Sequence, residues 1–366
     1  MGYYTDASPS LGEYFTWINN TNEGSTQAQT YVNLAYFRFM RARFGLALDI
    51  YAFDAGNLDG AAGTYSTPDA SRFKENFPEG FAPIAKAAEA CDMRLGLWAG
   101  ADGFGDTAED EAHRKEIFVA LCRELHFRLF KFDTVCGELR REKQAVFLAM
   151  LASCRKYAPD LIVLNHRNRF EKAEDAATTF LWQGGETYVD VHAFNEVCAP
   201  HHRASALLRG YPPDGKRLCE DHGVCLSSCL DYWQDELVVH LFARCLLLAP
   251  QLYGNPWLLR DDEQAQLGYL CALHRRYRQA LVTLHPMEGL DCCRGNEDVR
   301  FVTLVNPSWT VRQVQLLLSS LHLPEGRWQV RTEHPYVRAL GSLTAEQTLV
   351  CAIPPFRAML LRLERG

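Results

Sequence analysis

The sequence predicts an α/β protein: a (β/α)8 TIM barrel over residues 1–286, followed by a small antiparallel β domain over residues 287–366. Three observations predict this architecture. Along most of the chain β-rich runs alternate with helical segments, the pattern of parallel strands joined by crossover helices. The runs number about eight, which is the count that closes such a barrel. After Met287 the texture changes to short strands such as "RFVTLVNPSW" and "RWQVRTE", divided by Gly, Pro and Asn turns, with no fixed-period repeat.

The first strand is expected at 14–18 ("YFTWI"), followed by a helix at 27–43 and a second strand at 46–53 ("LALDIYAF"). A helix at 80–92 leads to the third strand, 94–100 ("RLGLWAG"), and a helix at 108–125 to the fourth, 127–133 ("FRLFKFD"). The helix 141–157 precedes a fifth strand at 161–166 ("LIVLNH") and a sixth at 178–183 ("TTFLWQ"). Strands near 217–225 and 247–253 and helices at 232–246 and 262–282 complete the set. Each strand is rich in β-branched and aromatic residues, and each helix repeats its apolar positions at about 3.6-residue spacing.

Composition narrows the function. The chain has 366 residues, 48% hydrophobic and 23% charged, an ordinary soluble balance. Its net charge of −7 argues against a nucleic-acid partner. The N-terminal "MGYYTDASPSLGEYF" has no basic region followed by an apolar run, so a cytoplasmic location is expected, or a periplasmic one if a leader precedes these residues. No membrane partner is expected, and homo-oligomerisation is left open. The thirteen cysteines are odd in number and scattered through apolar segments, as buried thiols are. Their densest cluster, "CEDHGVCLSSC" at 219–229, lacks the paired CxxC spacing of structural zinc.

In a (β/α) barrel the chemistry gathers at the C-terminal ends of the strands. Those ends carry Asn19 and Asn20, Asp54, Trp98 and Asp102, Lys131 and Asp133, Asn165 with His166 and Arg167, Glu186 and Asp190, and Asp221 with His222. Carboxylates, amides and an indole at one mouth suit a sugar, whose hydroxyls need directional partners and whose faces stack on aromatic rings. Lys131 and Asp133 are two apart on one strand and point the same way, so the ammonium keeps the carboxylate ionised. An ionised carboxylate held there is a candidate nucleophile. A structural ion pair is the plainer alternative.

These motifs resemble clan D of the glycoside hydrolases, the α-galactosidase and α-N-acetylgalactosaminidase barrels of families 27 and 36, most closely the family 36 branch. That clan carries its nucleophile at the end of the fourth strand in a Lys-aromatic-Asp motif, matched by Lys131, Phe132 and Asp133. Its second strand ends in Asp-Asp-Gly-Trp; "FDAGN" keeps Asp54 and Gly56 but has Ala55 and Asn57 in the other two places. Its third-strand Gly-Leu-Trp is present as Gly96, Leu97 and Trp98. The resemblance runs from about residue 14 to 366, without the large N-terminal β-sandwich of family 36. It implies a retaining α-glycosidase acting on an oligosaccharide or glycoside, with no cofactor.

On that resemblance Asp133 is the nucleophile, and the acid/base follows the sixth strand, where "WQGGETYVDVH" offers Glu186 first and Asp190 second. The family's usual residue there is Asp, so Glu186 is a departure. Asp54, Trp98, Lys131, Asn165, Arg167, Asp190 and His222 are the expected sugar-binding residues. Three rivals stand beside this reading. A barrel that binds glycans without turnover is consistent with Ala55. A metal-dependent hydrolase could draw on His166, His192, His201, His202 and His222, although no His-x-His closes the first strand. A Schiff-base role for Lys131 is opposed by Asp133, which would raise the lysine's pKa.

Overall fold

The computed structural model describes residues 11–16, 26–54, 68–134, 137–166, 179–180, 224–225, 251–254, 256, 259, 261–285, 287–289, 291–355 and 357–366. The first half of the fold is an eight-stranded parallel sheet. Its strands are β1 (Glu13–Phe15), β2 (Ile50–Phe53), β3 (Arg94–Gly100), β4 (Leu129–Asp133), β5 (Ile162–His166), β6 (Thr179–Phe180), β7 (Val224–Cys225) and β8 (Gln251–Tyr253). They lie in the order β6-β5-β4-β3-β2-β1-β8-β7, so each strand from β1 to β6 pairs with its chain neighbour, as does β7 with β8, and β8 pairs with β1. The pairing of β6 with β7 that would close a barrel is not among those described.

Each expected strand overlaps a described one, and parts of the first, sixth, seventh and eighth lie outside the described residues. β3 matches its expected bounds, whereas β2 begins at Ile50 because Asp49 and Ile50 both donate backbone N–H groups to Gly12 as the strand starts. Among the helices, α1 (Gln27–Phe44) is capped by the Thr26 hydroxyl and ends at Gly45 in the left-handed conformation. The short helices α2 (Ser71–Asn76) and α3 (Ala82–Glu89) follow β2. α4 (Ala108–Leu125) opens on a capping box between Thr107 and Asp110, with three acidic residues in its first turn. A single 3-10 turn at Arg141–Lys143 leads into α5 (Gln144–Cys154), and α6 (Asp261–Tyr277) follows β8. α2 is the helix the sequence reading missed. Its signal was Phe73, Phe77 and Phe81, spaced four apart and packed in the structure against Phe53.

Two apolar layers sandwich the parallel sheet. One, between strands and helices, is built around Tyr14, Phe37, Tyr51, Phe53, Phe118 and Phe130. The other lies on the opposite sheet face and gathers Phe15, Ile50, Ala52, Leu129, Ile162 and Leu164. Gly96 belongs to this second face: a Cβ there would sit 3.0 Å from that of Ala52 and 3.1 Å from that of Leu129.

The C-terminal half is antiparallel. β9 (Leu284–His285), β10 (Cys292–Gly295), β11 (Val299–Val305), β13 (Arg327–His334), β14 (Arg338–Thr344) and β16 (Ala358–Arg365) form a six-stranded sheet in the order β14-β13-β16-β11-β10-β9. β12 (Arg312–Leu317) pairs with β15 (Thr348–Ile353) as a separate ribbon, and Trp328, Val302, Leu361 and Ile353 join the core of this half. β9 already belongs to this sheet, so the antiparallel pattern begins slightly before Met287. Polar pairs seat α6 against the sheet: Tyr269 on Glu333, Tyr277 on Glu364 at 2.7 Å and Gln266 on the Pro335 carbonyl at 2.8 Å.

Gly268 sets the spacing between α1 and α6. A Cβ at this position would lie 2.4 Å from the Phe44 carbonyl oxygen, on backbone that cannot rotate away. Helix propensity alone would make Gly268→Ala stabilising by about 1 kcal/mol. Overpacking opposes it at about 1–3 kcal/mol, so a net loss of stability is expected, read as a lower midpoint in chemical denaturation.

Candidate active site

Strand register arranges the inner sheet face in rows. The lower row runs Phe15, Ala52, Gly96, Leu129 and Ile162, all small or apolar. One step toward the C-terminal ends, Trp98 pairs with Lys131 and Lys131 with Leu164, and Asp54 follows directly on β2. The top row sets Gly100 beside Asp133 and Asp133 beside His166. Three charged side chains thus lie above an apolar floor, with Asp54 3%, Lys131 3% and Asp133 6% exposed.

The ammonium of Lys131 donates to Asp54 Oδ2 at 3.2 Å and lies 5.5 Å from the centre of the Phe15 ring, within reach of a cation–π attraction. The Asp54 backbone N–H donates to Thr16 Oγ1 at 2.9 Å, which fixes the turn at the end of β2 to the end of β1. Above this pair, Trp98 Nε1 donates to Asp133 Oδ2 at 3.2 Å. Sequence spacing joins Lys131 to Asp133 along one strand. The structure adds Asp54 as the lysine's partner from two strands away and the indole as a donor to Asp133. Removing one member of a buried ion pair costs about 3–5 kcal/mol, because the other is left charged and dry.

The loop after β3 is fastened from two sides. Arg114, buried on α4, donates to the carbonyls of Gly100 at 2.7 Å and Asp102 at 2.9 Å. Arg140, at the far end of the loop after β4, donates to Asp102 through its backbone N–H and Nε, both at 2.9 Å, and through Nη2 at 3.2 Å. Asp102, grouped by its position with the mouth residues, therefore clamps two loops. Burial pushes its carboxyl up, but the hydrogen bonds from Arg140, Gly103 and Phe104 outweigh this and hold it down at about 2.

Of the expected site residues, Asp54, Trp98, Lys131 and Asp133 come together on one face. Asn165 is buried too, but it is in register with Phe132, which packs against Phe118 and Phe147 on the helix side. The residue of β5 in register with Asp133 is His166. Glu186, Arg167, Asp190 and His222 lie outside the described residues, as do Asn19 and Asn20. Among the described residues no three His, Cys, Asp or Glu side chains gather as metal ligands do. The sequence reading missed Thr16, Phe15, Arg114 and Arg140; alternation from Glu13 signalled the inward Phe15, whereas nothing local signalled the arginines.

A scan against protein-family models and a search of curated proteins each found no match to the chain. Solved structures match it along its whole length. An α-galactosidase from Mortierella vinacea superposes with a TM-score of 0.68 at 13% identity, covering 99% of this chain and 98% of that one. A family 27 β-L-arabinopyranosidase from Geobacillus stearothermophilus gives 0.66 at 12% identity, covering 99% and 98%. A family 36 α-galactosidase from the same bacterium gives 0.60 at 11% identity, covering 98% of this chain but 56% of that one.

Because the folded Asp102 carboxyl lies below its ordinary 3.8, its clamp contributes stability that is fully present above about pH 4 and lost as pH falls toward about 2. Asp102→Asn should therefore lower the melting temperature at pH 7, and its deficit should narrow over that acid window in pH-stepped thermal melts. The end-to-end superpositions give the chain the fold of the clan D, α-galactosidase-type glycoside hydrolases.

Proposed function

We propose that the parallel sheet closes into a (β/α)8 barrel and that the chain is a retaining α-glycosidase of α-galactosidase-like type, acting on terminal α-linked sugars. The observation that carries this reading is the buried Asp133 carboxylate at the C-terminal end of β4, held by Trp98 above the Lys131–Asp54 pair. The likeness in fold to α-galactosidases and a β-L-arabinopyranosidase supports it.

In the first step an oxygen of Asp133 attacks the anomeric carbon, the glycosidic bond breaks, and its electron pair goes to the leaving oxygen, which takes a proton from Glu186. In the second, the Glu186 carboxylate removes a proton from water, the water oxygen attacks the same carbon, and Asp133 leaves as a carboxylate. Lys131 and Asp54 offer a donor and an acceptor side by side for adjacent sugar hydroxyls. Trp98 backs the Asp133 carboxylate, and Arg167, Asp190 and His222 are the further candidates for the sugar site. Asn165, on the helix-facing row, supports the end of β5. The protein's own carboxyl groups supply the reaction without a cofactor.

A panel of nitrophenyl α-glycosides identifies the sugar. With the best of them, Asp133→Asn should leave the fold intact by circular dichroism and lower turnover by several powers of ten, on the order of 10^4 or more. Near-normal hydrolysis by this variant would sink the mechanism.

The acid/base assignment has its own signature. A general acid matters most when the leaving oxygen is basic. Glu186→Ala should cripple hydrolysis of alkyl or sugar glycosides, spare the first step with an activated aryl glycoside, and be rescued by azide. If azide rescues Asp190→Ala instead, the role moves to Asp190.

A further inference from the structure

The sequence reading assigns Trp98 to the sugar's wall, but its indole N–H is aimed at Asp133, 3.2 Å from Oδ2, with Trp98 only 1% exposed. The geometry around the ring is tight. Trp98 is level with Lys131, and the next inward position on its own strand is Gly100, which is level with Asp133 and puts no side chain between indole and carboxylate. A hydrogen bond to an ionised carboxylate is charge-assisted and roughly twice as strong as one to a neutral oxygen.

In the proposed reaction Asp133 changes charge twice. It is an anion before attack, a neutral ester in the glycosyl-enzyme, and an anion again when water has displaced it. The Trp98 hydrogen bond is strong in the first and last states and weak between them. We infer that Trp98 is a positioning residue that acts through Asp133: it stabilises the departing carboxylate in the second step and restrains attack in the first. This inference rests on the retaining reading above. In the second step the bond from the anomeric carbon to Asp133 breaks, its electron pair passes to the carboxylate, and the indole N–H strengthens its bond to that growing charge without giving up its proton.

The two steps should therefore respond to loss of the N–H in opposite directions, which loss of packing alone would not produce. The test uses the full chain and the 2,4-dinitrophenyl α-glycoside of the sugar that the nitrophenyl panel identifies, whose good leaving group makes the second step limiting. Trp98→Phe removes the donor but also volume. Replacing the indole with benzothiophene, by incorporation of 3-benzothienylalanine at position 98, removes the donor alone and decides the matter if the phenylalanine variant folds poorly. The expected result is a deglycosylation rate lower by roughly 10- to 100-fold, the scale of a hydrogen bond to a charged group. Glycosylation should be unimpaired, so kcat and KM fall together and a burst of dinitrophenolate approaches one equivalent of enzyme.

Equal falls in kcat and kcat/KM without a burst would overturn the inference. Labelling of the unmodified enzyme with the 5-fluoro α-glycosyl fluoride of the same sugar, read by peptide mass spectrometry, separates this failure from a deeper one. A label on Asp133 with no burst in the benzothiophene variant removes the role of Trp98 alone. Absence of any label on Asp133 removes the retaining reading and the inference with it.

Discussion

Two opposite charges held away from water, 3.2 Å apart and on strands that are not neighbours, constrain the whole inner face of the parallel sheet. Lys131 on β4 and Asp54 after β2 meet across β3, so the relative height of three strands is fixed by one ion pair. A slip in register between β2 and β4 would break this pair and separate two buried charges, at a cost of several kcal/mol. A buried pair of this kind adds little net stability over well-packed apolar side chains. What the pair does present is a donor and an acceptor already desolvated, which under the proposed function would need no reorganisation to meet sugar hydroxyls.

The layer above depends on that arrangement. Trp98 shares the row of Lys131, and the indole then reaches one row up to Asp133. The end of β3 would be a weak support by itself, since it runs into Gly100, Gly103 and Gly105. Arg114 and Arg140 remedy this by bonding to the carbonyls of Gly100 and Asp102, the Asp102 carboxylate and the carbonyl of Gly105. The same guanidinium of Arg140 ties the loop after β4 to the loop after β3, so the two strands that carry indole and carboxylate are fixed at their outlets as well as in their ladders.

Strand order and helix placement were legible in the sequence because each depends on local periodicity: "RLGLWAG" and the helix at 108–125 carry their own pattern and their own caps. Lys131 and Asp133 could be placed on one face for the same reason. The partner of Lys131 could not be read, because the contact spans 77 positions and depends on the stagger of three strands. Asn165 shows the limit of reading strand ends by composition: alternation, not chemistry, decides which sheet face a side chain takes, and its register with Phe132 puts it on the helix side. Arg114 was illegible as a support because its acceptors are backbone carbonyls, which any sequence supplies, and Arg140 because its carboxylate partners Asp102 and Asp106 lie more than thirty positions away.

The residues that surround Asp133 are close together along the chain. Trp98, Gly100, Asp102, Arg114, Lys131, Asp133 and Arg140 all fall between residues 98 and 140, and Asp54 is the outlying member. One short stretch of coding sequence thus carries the proposed nucleophile with its own braces, while the candidate acid/base and the candidate residues Arg167, Asp190 and His222 lie on later segments. On the proposed reading, an engineer recombining homologous barrels could exchange those later segments without disturbing the surroundings of Asp133.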